Sequence, residues 1–226
     1  YTRDYLEPGE VILKCEHISD GKMAKDASFE LHKGEIIGFA GLVGAGRSEA
    51  MKAIFGLAPH ATGDVYVKGQ KVKIKSPIDA LKYGIALVPE NRKEEGLYKV
   101  QSVRFNSTIE VLGSFIRHLH VDGKKEEEIT QKYIDMMKTK TPSQDQIIGN
   151  LSGGNQQKVI IGRWLATNPE VLILDEPTRG VDVGAKAEIY AIMNELVKQG
   201  MSIIMISSEL PEIINMSDRI YVMNEG

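Results

Sequence analysis

Short apolar runs separated by glycine and polar residues follow one another along most of this chain. The run 36–40 is almost wholly apolar, which is typical of a strand buried on both faces. Apolar residues recur every three or four positions over 185–198, which predicts a helix there. The predicted strands are 11–14, 28–31, 35–40, 64–67, 72–74, 85–88, 171–174 and 203–206. Strands that alternate with helices along the second half predict an α/β fold with a parallel sheet.

The pattern changes between residues 96 and 150, where two helices are predicted, at 107–118 and 124–138, with no convincing strand. This stretch predicts a helical insertion within a single domain. The predicted domain spans 9–226, with a core of 9–96 and 151–226 and a helical subdomain of about 97–150.

Both ends of the sequence are typical of a fragment of a longer polypeptide. The chain begins with Tyr1, residues 1–8 are predicted to be an interdomain linker, and the end follows a strand-like run at 219–223. We therefore expect a fragment of a longer polypeptide, with a trimmed whole protein as the alternative.

Composition narrows the class of protein. Hydrophobic residues make up 42% and charged residues 26%, as in ordinary globular proteins, and no apolar stretch approaches the roughly 20 residues that a membrane span needs. One cysteine, Cys15, excludes an internal disulfide and a cysteine metal cluster. A net charge of −3 argues against a dedicated nucleic-acid-binding protein. The histidines show no metal-ligand spacing and are expected at the surface: His17, His32, His60, His118 and His120.

Residues 41–48 read GLVGAGRS and lie between a predicted strand and a predicted helix. They match the phosphate-binding pattern GxxxxGK[ST] except that Arg47 replaces lysine. Glycines let backbone N–H groups turn toward phosphate oxygens, and Ser48 can bind Mg²⁺. A planar guanidinium cannot occupy the volume of an ammonium, so we expect nucleotide binding with impaired hydrolysis. The alternative is a glycine-rich turn without a ligand.

Two further runs carry chemistry. Residues 171–176 (VLILDE) predict a buried strand that delivers Asp175 to a sheet edge, where it can hold Mg²⁺. Glu176 can then orient or deprotonate an attacking water. Residues 151–158 (LSGGNQQK) predict a second anion site at a helix start. One domain does not need two γ-phosphate sites facing the same way, so the pair of sites predicts two domains arranged head to tail.

Together, LSGGNQQK and the following VLILDEPTRGVD resemble the signature and Walker B motifs of ABC-transporter ATPases. GLVGAGRSE, VPENRKEEGL and ISSELPE narrow the resemblance to the C-terminal half of the tandem ATP-binding subunits of bacterial ribose-, galactose- and xylose-type importers. This resemblance implies a P-loop NTPase with a mixed or parallel core sheet, an N-terminal antiparallel β-subdomain and an inserted α-helical subdomain. It also implies ATP and Mg²⁺ as cofactors.

The resemblance assigns residue roles. The residues expected around the nucleotide are Gly41, Leu42, Val43, Gly44, Ala45, Gly46, Arg47, Ser48 and Glu49. The signature residues expected to complete a partner's site are Leu151, Ser152, Gly153, Gly154 and Asn155, with Asp182 in the loop that couples the two sites. The expected metal-binding residues are Ser48, Glu90 and Asp175, and the expected catalytic residues are Glu176, Ser208 and Glu90.

Three positions depart from the pattern of the family: Arg47 for lysine, Glu90 for glutamine and Ser208 for histidine. No aromatic residue lies between His17 and Lys25, where the family usually stacks one on adenine, so nucleotide affinity should be reduced. The signature is intact. The resemblance therefore implies a domain that hydrolyses ATP poorly at its own loop and completes a competent site on its partner. We expect weak or no ATPase activity from the isolated domain.

The same resemblance implies partners. They are the N-terminal ATPase half of the same chain (or a second copy in isolation), membrane permease subunits, and indirectly a periplasmic or surface sugar-binding protein. We expect a peripheral position on the cytoplasmic face of the membrane, with residues 92–96 in contact with a membrane partner. For these five residues a flexible surface loop is the alternative. The alternatives are a non-hydrolysing regulatory half and an importer of nucleosides or another sugar-like solute. An ATPase acting on nucleic acid or ribosomes is disfavoured, because no coiled-coil, zinc-bearing or basic insertion is present.

Overall fold

The computed structural model of the chain describes residues 3–117 and 120–226. His118 lies outside the described residues. The strands are β1 Val11–Ser19, β2 Ala27–His32, β3 Ile36–Ala40, β4 Thr62–Val67, β5 Gln70–Val72, β6 Ile85–Val88, β7 Ile116–Arg117, β8 His120–Val121, β9 Val171–Asp175, β10 Ser202–Ile206 and β11 Arg219–Val222. The helices are α1 Arg47–Ile54, α2 Pro77–Lys82, α3 Val103–Thr108, α4 Gly123–Met137, α5 Gly153–Leu165, α6 Val183–Lys198 and α7 Leu210–Met216. A π-helical turn covers Arg92–Gly96, and 3₁₀ helices cover Ile109–Ser114 and Ile148–Asn150.

A five-stranded sheet of order β11-β3-β10-β9-β6 forms the core of the α/β part. The pairs β11–β3, β3–β10 and β10–β9 are parallel. Every residue of β3, β9 and β10 is buried, as their apolar sequences predict. The parallel core sheet predicted from the alternation of strands and helices is therefore confirmed.

A second sheet is antiparallel and has the order β2-β1-β4-β5. Its inner face carries alternate apolar residues of β1, among them Leu13 and Cys15, which are buried. Phe29 of β2 packs edge-on against Phe39 of β3, with ring centroids 5.0 Å apart. This contact joins the antiparallel sheet to the core sheet, and the predicted mixed α/β class is confirmed.

The chain divides into two compact units. The first unit contains the residues up to Leu87 together with Pro169–Pro177 and Tyr190–Gly226. The second unit contains Val88–Asn168 and Thr178–Ile189. The apolar cluster of the second unit is formed by Val103, Ile148 and Val159, with Leu97, Ile134 and Leu151 packed against them.

Two predicted elements were wrong. The helix predicted at 107–118 starts earlier, at Val103, because Ser102 accepts a hydrogen bond from Phe105 N and caps it there. After Thr108 the chain continues as a 3₁₀ helix and then as β7, which pairs with β8, so the inserted stretch does contain a short hairpin.

The strand predicted at 72–74 lies at Gln70–Val72 instead. Lys68 and Gly69 both have positive φ, of 50° and 79°, as in the two-residue turns that join tight hairpins. This turn sets Gln70 directly opposite Val67, so the strand begins two residues earlier than its apolar pattern indicates.

Arg3, within the predicted linker, is buried against the first unit. Its guanidinium donates to Asn194 Oδ1 at 2.9 Å and to Asp218 Oδ2 at 3.1 Å. The same Asp218 oxygen accepts from Ile36 N at 2.7 Å. In the part of the chain that the structure describes, no helix has both the length and the apolar character needed to cross a membrane.

Candidate functional site

Three loops meet at one edge of the core sheet in the first unit. The register pairs Ile206 of β10 with Phe39 of β3 on one side and with Asp175 of β9 on the other. Because the three strands are parallel, the residues that follow them emerge at the same edge. The glycine loop after β3, Glu176 after β9 and the Ser207-Ser208 pair after β10 are therefore neighbours.

The glycine loop has a backbone that side chains would not permit. Gly44 and Gly46 have φ of 86° and 92°, in the left-handed region. A Cβ on Gly46 would lie 2.7 Å from Met23 O, and one on Gly41 would lie 2.5 Å from Met223 O. Gly46 caps α1 without a side-chain hydrogen bond. Such a turn, running into a helix N-terminus, suits phosphate oxygens.

The side chains of the glycine loop differ in their exposure to solvent. Leu42 and Val43 are more than 80% exposed, whereas Ala45 is buried, and Ser48 and Glu49 are half-buried at the start of α1. The predicted nucleotide-binding residues from Gly41 to Glu49 thus form one continuous loop and helix start.

Arg47 is buried and faces the other two loops. Its Nη1 donates to Ser207 O at 2.8 Å, and its Nη2 lies 3.4 Å from Ser208 Oγ. The same Nη2 is 3.8 Å from Glu176 Oε1, and both side chains of this ion pair are only 7% exposed. Ser207 is itself held by a hydrogen bond to Glu212. The guanidinium is thus directed at the carboxylate after β9.

Glu176 has an unusual backbone. It is buried and has φ of 49°, a left-handed conformation that costs a non-glycine residue free energy unless the surrounding structure holds it. Glu176 N donates to Ile206 O at 2.8 Å, and Ser208 Oγ donates to Glu176 Oε1. Arg47, Glu176 and Ser208 therefore form one connected cluster, beside the buried Asp175.

The signature residues lie in the second unit, at the start of α5. Ser152 caps this helix by accepting hydrogen bonds from the backbone N and Nδ2 of Asn155, at 3.3 and 2.9 Å. Asn155 Oδ1 in turn accepts from Lys140 N at 2.9 Å. Leu151 packs on the apolar cluster of this unit. The motif is thus held by its own side chains, by the backbone of Lys140 and by apolar packing.

Two other predicted site residues also lie in the second unit. Glu90 forms an ion pair with Arg179, a residue outside the predicted site. Asp182 accepts a hydrogen bond from Ala185 N at 2.9 Å at the start of α6. The position of Arg179, three residues after Glu176 and within the motif VLILDEPTRGVD, was the signal that could have drawn attention to it.

The predicted site residues thus fall into two sets. Gly41–Glu49, Asp175, Glu176 and Ser208 come together in the first unit, while Glu90, Leu151–Asn155 and Asp182 belong to the second. Within the described ranges, histidine, cysteine and carboxylate side chains form no cluster of three or more that could hold a metal ion.

Comparison with known proteins extends these observations. Residues 24–179 match the family model described as ABC transporter. The chain is 54% identical over 222 residues to a galactose/methyl galactoside import ATP-binding protein of Clostridium tetani, covering 97% of this chain and 44% of that protein. It is 49% identical over 226 residues to a ribose import ATP-binding protein of Bacillus licheniformis, covering 100% of this chain and 46% of that protein. The chain thus spans less than half the length of these relatives.

Solved structures agree with this match. A nucleotide-free ATP-binding cassette from an ABC transporter is 28% identical, with a TM-score of 0.81, and the match covers 96% of this chain and 89% of that chain. A structure described as the ADP conformation of an ATP-binding cassette of an ABC transporter is 27% identical, with a TM-score of 0.79 and the same coverage. The predicted P-loop NTPase fold is confirmed, and the chain belongs to the ABC transporter family of ATP-binding domains.

Proposed function

We propose that this chain is the C-terminal ATPase half of a tandem ATP-binding subunit in a bacterial ABC importer for monosaccharides. Two observations support the proposal. Relatives named as galactose and ribose import ATP-binding proteins are about half identical to it, and it aligns with less than half of their length. An importer of nucleosides or another sugar-like solute is the second candidate.

In this proposal the first unit binds ATP with Mg²⁺ and hydrolyses it poorly. Backbone N–H groups of residues 41–48 would hold the phosphates. Ser48 and Asp175 would hold the metal ion. The metal-binding role of Glu90, which belongs to the second unit, stays a prediction. Bound Mg²⁺ would offset phosphate charge.

In this proposal the site of this chain hydrolyses ATP slowly and the site of the partner domain is competent. The observation that supports this asymmetry is the ion pair between Arg47 and Glu176. A general base needs a carboxylate oxygen that can accept a proton from water. One of the two carboxylate oxygens of Glu176, Oε1, instead accepts from Ser208 and faces the Arg47 guanidinium. Arg47 in turn donates to Ser207 O, so its charge is partly engaged away from the glycine loop.

The second unit would serve the partner domain. Leu151–Asn155 and Asp182 would complete the nucleotide site of the N-terminal half, which itself is expected to hydrolyse ATP. Residues 92–96 would contact a permease subunit at the cytoplasmic face of the membrane, and a sugar-binding protein would deliver the solute. Substrate choice would belong to those other subunits.

The experiment compares ATP hydrolysis by this chain alone with that of the two-domain subunit. We expect the isolated chain to be roughly 10²-fold slower, the size of effect seen when a transition-state contact is lost. Robust turnover by the isolated chain, abolished by Glu176→Gln, would contradict the asymmetric assignment.

Turnover of a signature variant, with filter binding of labelled ATP as the control for nucleotide binding, separates the proposed ATPase half from a purely regulatory half. In the two-domain subunit, the variant Ser152→Arg should block hydrolysis at the partner site while ATP still binds. Unchanged turnover in this variant would favour the regulatory alternative.

A further inference from the structure

Arg92 opens the π-helical turn after β6 and lies against two other loops of the second unit. Its Nη1 donates to Arg179 O at 3.3 Å. Its Nη2 lies 3.0 Å from where a Cβ on Gly153 would be, and 3.7 Å from the same point on Gly180. One guanidinium therefore donates to the loop that precedes α6 and lies beside the start of the signature helix α5.

These two loops also touch each other directly. A Cβ on Gly153 would lie 2.9 Å from Gly180 O, and one on Gly154 would lie 2.6 Å from Ala185 Cβ. A side chain at either signature glycine would push the loop away. The first turn of α5 and residues 179–185 thus form one packed surface, with Arg92 along its border.

A second contact joins the same segments. Glu90, two residues before Arg92, forms an ion pair with Arg179. This pair is roughly half exposed and contributes little stability by itself. Together with the Arg92 contact, it attaches the segment 90–92 to the loop at both the backbone and the side chain of Arg179.

Partial burial of the Arg92 side chain costs free energy. Burial lowers the pKa of its guanidinium, and its Nε is buried with no hydrogen-bond partner among the residues that the structure describes. If the side chain at position 92 only filled space, an apolar residue would serve as well. The planar fork is what lets one side chain reach a carbonyl and a glycine on two different loops.

We propose that Arg92 is a positioning residue that fixes the start of the signature helix relative to the loop 178–182. Residues 152–155 and Asp182 would then face the nucleotide of the partner domain as one rigid surface. The catalytic importance of this surface rests on the function proposed above.

The first experiment tests the contact itself by amide hydrogen exchange on the chain. We expect Arg92→Ala to speed exchange of the Asn155, Gln156, Val181 and Ala185 amides about tenfold, the factor expected when one hydrogen bond of a charged group is lost. Arg92→Lys should behave similarly, because one ammonium cannot reach both loops. Lys93→Ala removes the same charge from the neighbouring exposed position and should leave these amides unchanged. Equal exchange in Arg92→Ala and the unaltered chain would overturn the proposal.

The second experiment measures ATP hydrolysis by the two-domain subunit. Arg92→Ala should lower kcat roughly tenfold or more while KM for ATP changes by less than about threefold, because misplaced groups cost rate more than affinity. Faster exchange with an unaltered kcat would overturn the positioning role. If the unaltered two-domain subunit does not hydrolyse ATP, the proposed function fails, and the exchange result alone decides whether Arg92 holds the two loops together.

Discussion

The cluster of Arg47, Glu176 and Ser208 is the feature that distinguishes this site at the scale of single residues. Arg47 and Ser208, two of the departures from the family pattern, are 161 residues apart in the sequence. In the structure both side chains contact the carboxylate of Glu176. The two departures are therefore physically linked, and the effects of substituting these side chains should not be additive.

Replacing Arg47 by lysine tests this link. Lysine cannot bridge Ser207 O and Glu176 Oε1 as the guanidinium fork does, and its ammonium can reach phosphates instead. We expect the isolated chain to bind ATP most tightly with lysine at position 47, less tightly with arginine and least tightly with methionine. Each step should be roughly three- to tenfold in affinity. Equilibrium binding of a fluorescent ATP analogue measures the order.

Turnover provides the second measurement for Arg47→Lys. Because Glu176 loses its guanidinium partner, we expect the slow hydrolysis of the isolated chain to rise, and to rise further with Ser208→Ala. Arg47→Met, which also releases Glu176 but removes the charge, is the matched control for affinity. An affinity lower for lysine than for arginine would contradict the reasoning.

At the scale of elements, the glycines of the signature have two physical roles. Their sequence pattern predicts exposed backbone N–H groups at a helix start. The structure adds that α5 meets α6 with no room for a side chain, since a Cβ on Gly154 would lie 2.6 Å from Ala185 Cβ. Loss of activity on replacing this glycine would therefore not by itself show contact with a nucleotide.

A pair of variants separates the two roles. Gly154→Ala should destabilise the protein by about 1–3 kcal/mol through overpacking. Ala185→Gly, within a helix, should cost about 1 kcal/mol by itself. The double variant should be no less stable than Ala185→Gly alone, since the clash is relieved. Urea denaturation followed by circular dichroism measures all three.

Gly123→Ala is the control for this pair, because a Cβ there meets nothing within 4 Å. It should be neutral or stabilising by about 0.4–1 kcal/mol. A double variant that is less stable than Ala185→Gly alone would show that the close approach to Ala185 is not the cause.

At the scale of the whole molecule, two carboxylates tie stability to pH. Burial alone would raise the pKa of Asp20, but hydrogen bonds from the backbone of Lys22, Ala24 and Met23 lower it below its ordinary 3.8. A hydrogen bond from Lys158 lowers the pKa of Glu188 below 4.5. Stability from such groups is present above the unfolded pKa and is lost as pH falls through the folded pKa.

We therefore expect the free energy of unfolding to fall as pH decreases below about 4.5, the higher of the two ordinary values. Asp20→Asn and Glu188→Gln should each remove part of this dependence. Glu94→Gln, an exposed carboxylate without an ion pair among the described residues, is the control and should leave the slope unchanged. Urea midpoints across the acidic range measure the slope, and identical slopes in all four proteins would contradict the assignment.

Local sequence determined much about this protein by itself. Apolar runs predicted β3, β9 and β10, and the glycine spacing of residues 41–48 predicted a turn between a strand and a helix, because these features depend on near neighbours. Elements without a strong period, such as the stretch from Ser107 to Arg117, were misassigned because capping and pairing outweighed their local pattern.

The tertiary structure alone decided which distant residues meet. Arg47 and Glu176 are far apart in the chain and become neighbours only because β10 lies between β3 and β9 in a parallel register. Arg92 likewise donates to the carbonyl of Arg179 and lies beside Gly153 only once the second unit has folded. Spacing in sequence carries no information about strand order, so motifs can name the chemical groups of a site but not their contacts.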